Sequence, residues 1–472
     1  MLSAPTILYL SSRIVSAAGA FLAVVLFTRL AGSHEYGQYL LIFTWSSIIF
    51  GSATQWMIVA YFGVYKSKQI DEYVASLAQL LCLALALIAV GFFAVALLGF
   101  WEPKLLTAAF FMIFGLTTYF GAFDVTRTRL KAQSAAVSMI LRSLLTAILG
   151  TLVLWQGMAA PVLAIAVAVA HVIAAVPSLL AIGRIRFSQS SRAASIHILK
   201  YGLPLLLSFG VASFGQSVDR LLLAHYIGIA ALGAYGAAAD IMRQCFAVVG
   251  EAIVYSLITS AKQHANDGNI EASTHNLRTA FNACVVTGTF GATFFIVFGD
   301  DLLRFVLAPE FHAQISNLIT PLAIAFGVMT IGHYYFAQVI FFTHASYLVP
   351  MFSIILIVVS SGLSVFLIPA YGPLGAAIAL LVSYLVSYIA LIFISQRYYV
   401  MPIDFAGLGE VSMIVVTFVL GTWIIGALVP HTVYLQILKA AVFIALSGFV
   451  VHRYGLLRSI SGASAGAANE HL

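Results

Sequence analysis

Residues 7–28 read ILYLSSRIVSAAGAFLAVVLFT, and after the mostly polar segment RLAGSHEYGQ at 29–38 a second apolar stretch follows at 39–60, YLLIFTWSSIIFGSATQWMIVA. Each apolar stretch has 22 residues, close to the roughly 20 that an α-helix needs to cross the hydrocarbon core of a bilayer. Lipid offers the backbone no hydrogen-bond partner, so stretches of this kind are predicted to be helices that pack against one another in a bundle.

The same alternation continues to the end of the chain and predicts about fourteen spans. They are predicted at about 7–28, 39–60, 74–98, 106–123, 135–154, 160–182, 199–222, 231–258, 280–298, 315–340, 347–368, 374–394, 411–428 and 434–451. Of the 472 residues, 62% are hydrophobic and 8% charged, against about 25% charged in ordinary soluble proteins. The sequence therefore predicts an all-α polytopic membrane protein without a soluble catalytic domain.

Basic residues fall mainly on one side of the predicted spans. That side carries Lys66, Lys68, Arg127, Arg129, Lys131, Arg184, Arg186, Arg192, Lys200, Lys262, Arg278, Arg397, Arg453 and Arg458, and the other carries Arg29, Lys104, Arg220 and Arg304. The positive-inside rule places the first side, and both termini, in the cytoplasm, which requires an even number of spans. The net charge of +6 is spread over loops without interleaved aromatics, so no nucleic-acid partner is expected.

An internal repeat indicates two halves. Gly32, Gly37 and Tyr39 recur as Gly228, Gly233 and Tyr235, each displaced by 196 residues. Six predicted spans separate the two copies, so the halves have the same orientation, as in transporters built from parallel repeats. The predicted divisions are a six-helix lobe at 1–195, a second at 196–396, two accessory helices at 397–458 and a disordered cytoplasmic tail at 459–472.

Several short motifs in this order resemble those of a known family. They are TRLAG at 28–32, YGQY at 36–39, YGLP at 201–204, DRLL at 219–222, LGAY at 232–235 and YGPLGAA at 371–377. Together they are similar to the polysaccharide transport family of O-antigen and exopolysaccharide repeat-unit flippases, a branch of the multidrug, oligosaccharidyl-lipid and polysaccharide exporter superfamily.

The resemblance implies a fold like that of the multidrug exporters of the superfamily, in a bacterial inner-membrane protein. The implied cargo is a polyprenyl-pyrophosphate-linked oligosaccharide, moved from the cytoplasmic to the outer leaflet for surface polysaccharide synthesis, including lipopolysaccharide or exopolysaccharide. The implied partners are the lipid-linked oligosaccharide, membrane lipid, a polysaccharide polymerase and chain-length proteins. No cofactor is expected apart from a coupling proton or sodium ion.

Ionisable residues inside the spans are the predicted site, because a charge at the centre of a helix costs about 2.5–3.5 kcal/mol to insert. Substrate-binding cations are predicted at Arg13, Arg142, Arg220 and Arg243, and gating or ion-coupling acids at Asp219, Asp240 and Glu251. Polar residues expected to line the same central cleft are Ser16, Ser47, Gln55 and Gln216. In contrast, His171 is expected to be a hydrogen-bonded core residue, and the three scattered cysteines predict no metal site.

These residues give a mechanistic hypothesis. Arg13, Arg142 and Arg243 are expected to hold the pyrophosphate, since a guanidinium is a planar fork that binds phosphate oxygens in pairs. The two lobes are then expected to rock around the cleft. A peptidoglycan-precursor flippase is the nearest alternative, and a multidrug cation antiporter is a weaker one because its cleft should be dominated by acids. An enzyme is not expected, since no catalytic spacing is present.

Overall fold

The protein is a bundle of long α-helices. The structure is a computed structural model and describes residues 4–343, 348–428 and 433–456. These ranges contain no β-strand, and the tail predicted at 459–472 lies outside them. The helices are α1 Ala4–Phe50, α2 Trp56–Val64, α3 Ile70–Leu97, α4 Pro103–Thr128, α5 Ala132–Trp155, α6 Ala160–Ile182, α7 Arg192–Gly215, α8 Val218–Tyr226, α9 Ile229–Ile253, α10 Thr259–Asn266, α11 Ile270–Val306, α12 Pro309–Tyr334, α13 Leu348–Tyr371, α14 Pro373–Ser395, α15 Phe405–Leu428 and α16 Val433–Arg453. We call α1–α6 the N-terminal lobe and α7–α14 the C-terminal lobe.

Thirteen helical segments in the described ranges are long and apolar enough to cross a membrane. The first of them, Ser11–Val64, has 54 residues and would measure about 80 Å as one straight helix, more than twice the roughly 30 Å of a hydrocarbon core. A break at Gly32 divides it, because the backbone of Gly32 adopts φ 73° and ψ 169°. Since α1 begins at Ala4, the stretch from Ala4 to Val64 contains the first two predicted spans, and the predicted polytopic all-α fold is confirmed.

The internal repeat has a similar backbone geometry in both copies. Gly228 precedes α9 with φ 116° and ψ 173°, so it turns the chain as Gly32 does, in a region of φ that favours glycine. The π-helical segments Gly51–Gln55 and Val254–Ile258 then interrupt the helices that follow these two turns. The two copies lie at the same end of the bundle, which we call the Gly32 end.

The lobes meet most closely at this repeat. A Cβ atom added to Gly37 would overlap the carbonyl oxygen of Ile229, and one added to Gly233 would overlap that of Ser33. The two contacts are reciprocal, since Ile229 and Gly233 are the repeat counterparts of Ser33 and Gly37. Close backbone approach at small residues is the usual basis of helix association in membranes.

The accessory helices α15 and α16 pack on α11 through aromatic rings. Phe443 of α16 contacts Phe290, Phe294 and Phe298, which follow one another at four-residue spacing on α11, and its ring also contacts Phe418 of α15. Four-residue spacing places side chains on one face of a helix. These contacts attach the accessory pair to the outside of the C-terminal lobe.

Asp404 caps the first turn of α15 and ties it to α11. Its Oδ1 accepts a hydrogen bond from the Gly407 backbone N–H at 2.9 Å, and its Oδ2 accepts one from the Asn282 side-chain amide at 3.0 Å. The Gly407 N–H, and after it the Asn282 amide, hold the pKa of the Asp404 carboxyl below its usual value of 3.8.

Removing this cap is expected to weaken the attachment of α15. The Asp404→Ala protein should lose about 1 kcal/mol of stability, measured by thermal unfolding of the purified protein, whereas Asp404→Asn should lose less because its amide oxygen can still accept the N–H. A lowered pKa means that the ionised carboxylate favours the folded state, so the contribution is full above pH 3.8 and is lost as the pH falls further. Equal melting of Asp404→Ala and wild type would contradict this role.

Candidate functional site

A cluster of two cations and one acid lies where α8 meets α9. Asp240 Oδ1 accepts hydrogen bonds from the Arg220 guanidinium at 2.5 Å and from the Arg243 guanidinium at 3.0 Å. Arg243 stands three residues after Asp240 on α9, whereas Arg220 comes from the short helix α8, and it is 8% exposed. One carboxylate therefore serves two guanidiniums, and the carboxylate of Asp219 also acts electrostatically on Arg220.

Arg142 supplies a third cation from the middle of α5. Its guanidinium carbon lies 5.1 Å from the centre of the Tyr119 ring on α4, a cation–π contact. Among the residues that the structure describes, no carboxylate lies within 4.0 Å of the Arg142 guanidinium. Arg142 is thus positioned by an aromatic ring and forms no ion pair with an acid in those ranges.

His171 of α6 adjoins the same aromatic ring. Its ring packs edge-on against Tyr119, with centroids 5.7 Å apart, and its Nδ1 lies 2.8 Å from the Val167 carbonyl oxygen. A carbonyl can only accept, so Nδ1 carries the proton and Nε2 is left as an acceptor in the neutral ring. The expectation of a hydrogen-bonded core histidine is confirmed, although His171 also has a place in the cavity described next.

These groups line one cavity of about 240 Å³ between the lobes. Helices α1, α5 and α6 contribute its N-terminal wall, and α8 and α9 contribute the opposite wall. Its charged residues are Arg142, Arg220, Asp240 and Arg243, three guanidiniums against one carboxylate. Its aromatic residues are Phe21, Phe27, Tyr36, Tyr39, Phe43 and His171. The cavity is therefore suited to an anion that also carries a less polar part.

The other predicted site residues lie outside this cavity. Arg13 of α1 pairs with Glu251 of α9, and this contact joins the two lobes. Asp219 is buried beside Arg220 and accepts a hydrogen bond from the Tyr235 hydroxyl at 2.6 Å. The four polar residues expected in the cleft, Ser16, Ser47, Gln55 and Gln216, are not among the residues lining the cavity.

The predicted site residues do not form a single cluster, because residues on one face of a helix can lie far apart along the helix axis. Glu251 follows Asp240 by 11 residues and shares its face, but the rise of 1.5 Å per residue separates them by about 16 Å along α9. Arg13 is displaced in the same way from Ala20, the first residue of α1 in the cavity. Periodicity places Asp240 and Glu251 on one face of α9, and their separation along the helix axis decides which residues they meet.

Two sets of contacts between the lobes lie on either side of the cavity along α1. At the Gly32 end, Arg29 donates hydrogen bonds to the carbonyl oxygens of Phe305 and Val306, and Glu310 accepts one from the Ser33 backbone N–H. Towards the opposite end lies the Arg13–Glu251 pair. Along α1, the cavity residues Ala20–Phe27 fall between Arg13 and Arg29, so the cavity lies between the two sets.

Sequence reasoning did not select Tyr36 and Tyr39, although both belong to the YGQY motif that it noted. Both are almost fully buried and line the cavity. The available signal was their spacing of three residues on a helix that also carries predicted site residues.

Metal binding has no comparable support, since no group of three His, Cys, Asp or Glu residues in the described part of the chain could hold an ion.

Comparison with known protein families gives a match over slightly more than the first half of the chain. A family model described as "Polysaccharide biosynthesis protein" matches residues 2–253, whereas no curated protein sequence matches the chain significantly.

Solved structures share its fold at low sequence identity. The lipid II flippase MurJ in an inward closed conformation superposes with a TM-score of 0.74 at 14% identity, covering 96% of this chain and 99% of MurJ. An inward-facing MATE family multidrug transporter gives 0.57 at 15% identity, covering 84% and 95%. A transporter of the same superfamily from Pyrococcus furiosus, whose binding pocket is described as having reverse polarity, gives 0.51 at 13% identity, covering 84% and 98%.

Proposed function

The chain belongs to the polysaccharide biosynthesis protein family, and we propose that it moves a lipid-linked oligosaccharide across the bacterial inner membrane. The cargo is a saccharide joined through pyrophosphate to a polyprenyl carrier, and it crosses from the cytoplasmic to the outer leaflet. Each saccharide hydroxyl that entered hydrocarbon without a partner would cost roughly 4–8 kcal/mol. A polar path between the lobes removes that cost, while the carrier chain stays in lipid.

The observation that carries this proposal is the position of Arg142 in a cavity within the bundle, with no carboxylate within 4.0 Å of its guanidinium in the described ranges. A charge at this depth costs about 2.5–3.5 kcal/mol, and neither Arg220 nor Arg243 offsets it, because both are cations. An anionic ligand would supply the missing charge. Pyrophosphate fits well, since its oxygens can accept paired hydrogen bonds from several guanidiniums at once.

Asp240 acts as the counter-ion of two cavity guanidiniums when no cargo is bound. It neutralises Arg220 and Arg243 in part, through the hydrogen bonds at 2.5 and 3.0 Å. A phosphate bound between the guanidiniums would compete with the carboxylate for the same donors. Binding of the cargo would therefore loosen the contact between α8 and α9 that Asp240 maintains, which connects the occupancy of the site to helix position.

The contacts at the two ends support alternating access by the two lobes. Opening towards the Gly32 end requires separation of Gly37 from Ile229 and of Arg29 from Val306, whereas opening towards the other end requires separation of Arg13 from Glu251. By the positive-inside rule, the Gly32 end faces outward and both termini lie in the cytoplasm. With a negative cell interior, outward movement of an anion gains roughly 2.3 kcal/mol per charge per 100 mV.

Two related functions differ from this one in their cargo. Peptidoglycan-precursor flipping is favoured by the similarity of the fold to MurJ over 96% of this chain, and its cargo presents the same pyrophosphate. A multidrug cation antiporter is disfavoured, because three guanidiniums and one carboxylate line the cavity and would repel a cation. Cargo identity is therefore the quantity to measure.

Mass spectrometry of lipid-linked saccharides tests the proposal in cells that lack the gene. We expect a polyprenyl-pyrophosphate oligosaccharide to accumulate and to be cleared by the wild-type protein but not by Arg243→Ala. Accumulation of a lipid-linked muropeptide instead would assign the protein to peptidoglycan synthesis. An unchanged lipid-linked pool, together with increased sensitivity to cationic drugs, would show that the protein is an antiporter and not a flippase.

A further inference from the structure

Four aromatic side chains form a continuous surface in the cavity beside the cations. Tyr36, Tyr39 and Phe43 follow one another at helical spacing on α1, with ring centroids 6.1 and 6.2 Å apart and interplanar angles of 37° and 34°. Phe27, from the other side of the Gly32 break, packs edge-on against Tyr39 at 5.9 Å. All four line the cavity that contains Arg142 and Arg220. We call these four residues the aromatic ladder.

Two tyrosine side chains of the ladder are almost fully buried, and their hydroxyls have no hydrogen-bond partner in the described ranges. Tyr36 is 1% exposed and Tyr39 is 8% exposed, and neither hydroxyl donates or accepts within residues 4–343, 348–428 and 433–456. Tyr235, the repeat counterpart of Tyr39, differs in this respect, because its hydroxyl donates to Asp219. Neither hydroxyl oxygen is among the fully buried atoms without a partner in the described ranges, so both remain open to the cavity, where they can donate to and accept from a polar ligand.

We propose, on the premise of the proposed function, that the aromatic ladder and His171 bind the sugar attached directly to the pyrophosphate. A pyranose ring has an apolar C–H face, which suits an aromatic ring, and hydroxyl groups at its edge, which need donors and acceptors. The Tyr36 and Tyr39 hydroxyls can both donate and accept, and the Nε2 atom of His171 can accept. The ladder therefore matches both surfaces of a sugar.

The small volume of the cavity indicates that it holds the first sugar and not the whole saccharide. Its volume of about 240 Å³ is below the range of roughly 300–1,000 Å³ that is typical of sites for drug-sized ligands, so only part of a lipid-linked oligosaccharide fits. With the pyrophosphate held by Arg142, Arg220 and Arg243, covalent connectivity places the first sugar next to it. The protein would thus distinguish cargoes by the sugar at the reducing end.

Binding of prenyl pyrophosphates to the purified full-length protein tests this assignment. The probes share one short prenyl chain and carry no sugar, a glucosyl, a galactosyl or an N-acetylglucosaminyl group. We expect wild type to bind at least one sugar-bearing probe about 10-fold more tightly than the sugar-free probe. The Tyr36→Phe/Tyr39→Phe protein, which keeps both rings, and Tyr39→Ala should reduce that preference to below about 2-fold while affinity for the sugar-free probe is retained.

The outcomes separate this inference from the proposed function. Tyr434→Phe, which removes an exposed hydroxyl outside the cavity, is the matched control and should bind like wild type. Equal wild-type affinity for all four probes would overturn the sugar subsite and leave pyrophosphate binding intact. Failure of wild type to bind any probe would overturn both proposals. A parallel loss of affinity for every probe in the tyrosine variants would show that the ladder is only structural.

Discussion

Replacing Arg142 with alanine is expected to slow the flipping of a pyrophosphate-linked lipid about 100-fold at substrate concentrations below saturation. Arg142 is the cavity cation that has no carboxylate within 4.0 Å in the described ranges, so its donors are available to a ligand. Hydrogen bonds to charged groups are worth about 1.5–3 kcal/mol each. Loss of a bidentate pair costs about 3 kcal/mol or more, and each 1.4 kcal/mol corresponds to roughly tenfold.

Proteoliposomes containing the purified protein provide the measurement. The initial rate is read from the exposure of a labelled lipid-linked saccharide to a membrane-impermeant glycosidase. Arg142→Lys keeps the charge but loses the planar fork, so its rate should fall between those of wild type and Arg142→Ala. Arg186→Ala removes an exposed arginine outside the cavity and should be unaffected. A wild-type rate for Arg142→Ala would exclude this residue from substrate binding.

The positions of the spans could be predicted because hydropathy reports the part of a helix that lies in lipid. The fifth span, predicted at 135–154, is α5 at Ala132–Trp155. The ninth, predicted at 280–298, is instead α11 at Ile270–Val306, and its additional residues at both ends include charged ones such as Glu271 and Arg304. Helical hydrogen bonding continues into the polar region beyond the hydrocarbon core, where hydropathy no longer reports it.

The residues of the site could be predicted only in part. Which residues share a cavity depends on their positions along the helix axes and on the helices that pack beside them. The cost of a buried charge was enough to select Arg142, Arg220, Asp240 and Arg243, which share one cavity. No spacing within α5 indicates that Arg142 faces Tyr119 of α4. Pairing across the lobes is equally hidden, since Arg13 and Glu251 are 238 residues apart.

The repeat was the exception, because one local pattern indicated two related halves, and the structure brings its two copies into contact. The spacing of Gly32, Gly37 and Tyr39 recurs in the second lobe, and the structure brings Gly37 and Gly233 together in a reciprocal contact. A close approach between two backbones can require glycine, because no Cβ fits there. This requirement can be read directly in the sequence as a glycine. Side-chain pairing leaves no equally specific pattern.

Substitution of either repeat glycine by alanine is expected to open the Gly32 end of the bundle. The added Cβ of Gly37→Ala or Gly233→Ala would overlap a backbone carbonyl oxygen, which cannot move aside as a flexible side chain can. Overpacking of this kind costs about 1–3 kcal/mol, so states with α1 and α9 apart should become roughly 5- to 150-fold more populated. Flipping should slow as well, because the protein returns less often to the state closed at that end.

Labelling of a cysteine in the cavity measures this opening. In a protein with Cys82, Cys245 and Cys284 replaced by alanine, Gln244→Cys places a thiol among the residues that line the cavity. A membrane-impermeant maleimide added outside the cell should label this thiol faster when Gly37→Ala or Gly233→Ala is present. Gly91→Ala is the matched control, since a Cβ there meets no described atom within 4 Å. Equal labelling in the Gly233→Ala and Gly91→Ala proteins would mean that other contacts, such as Arg29 with Val306, close this end.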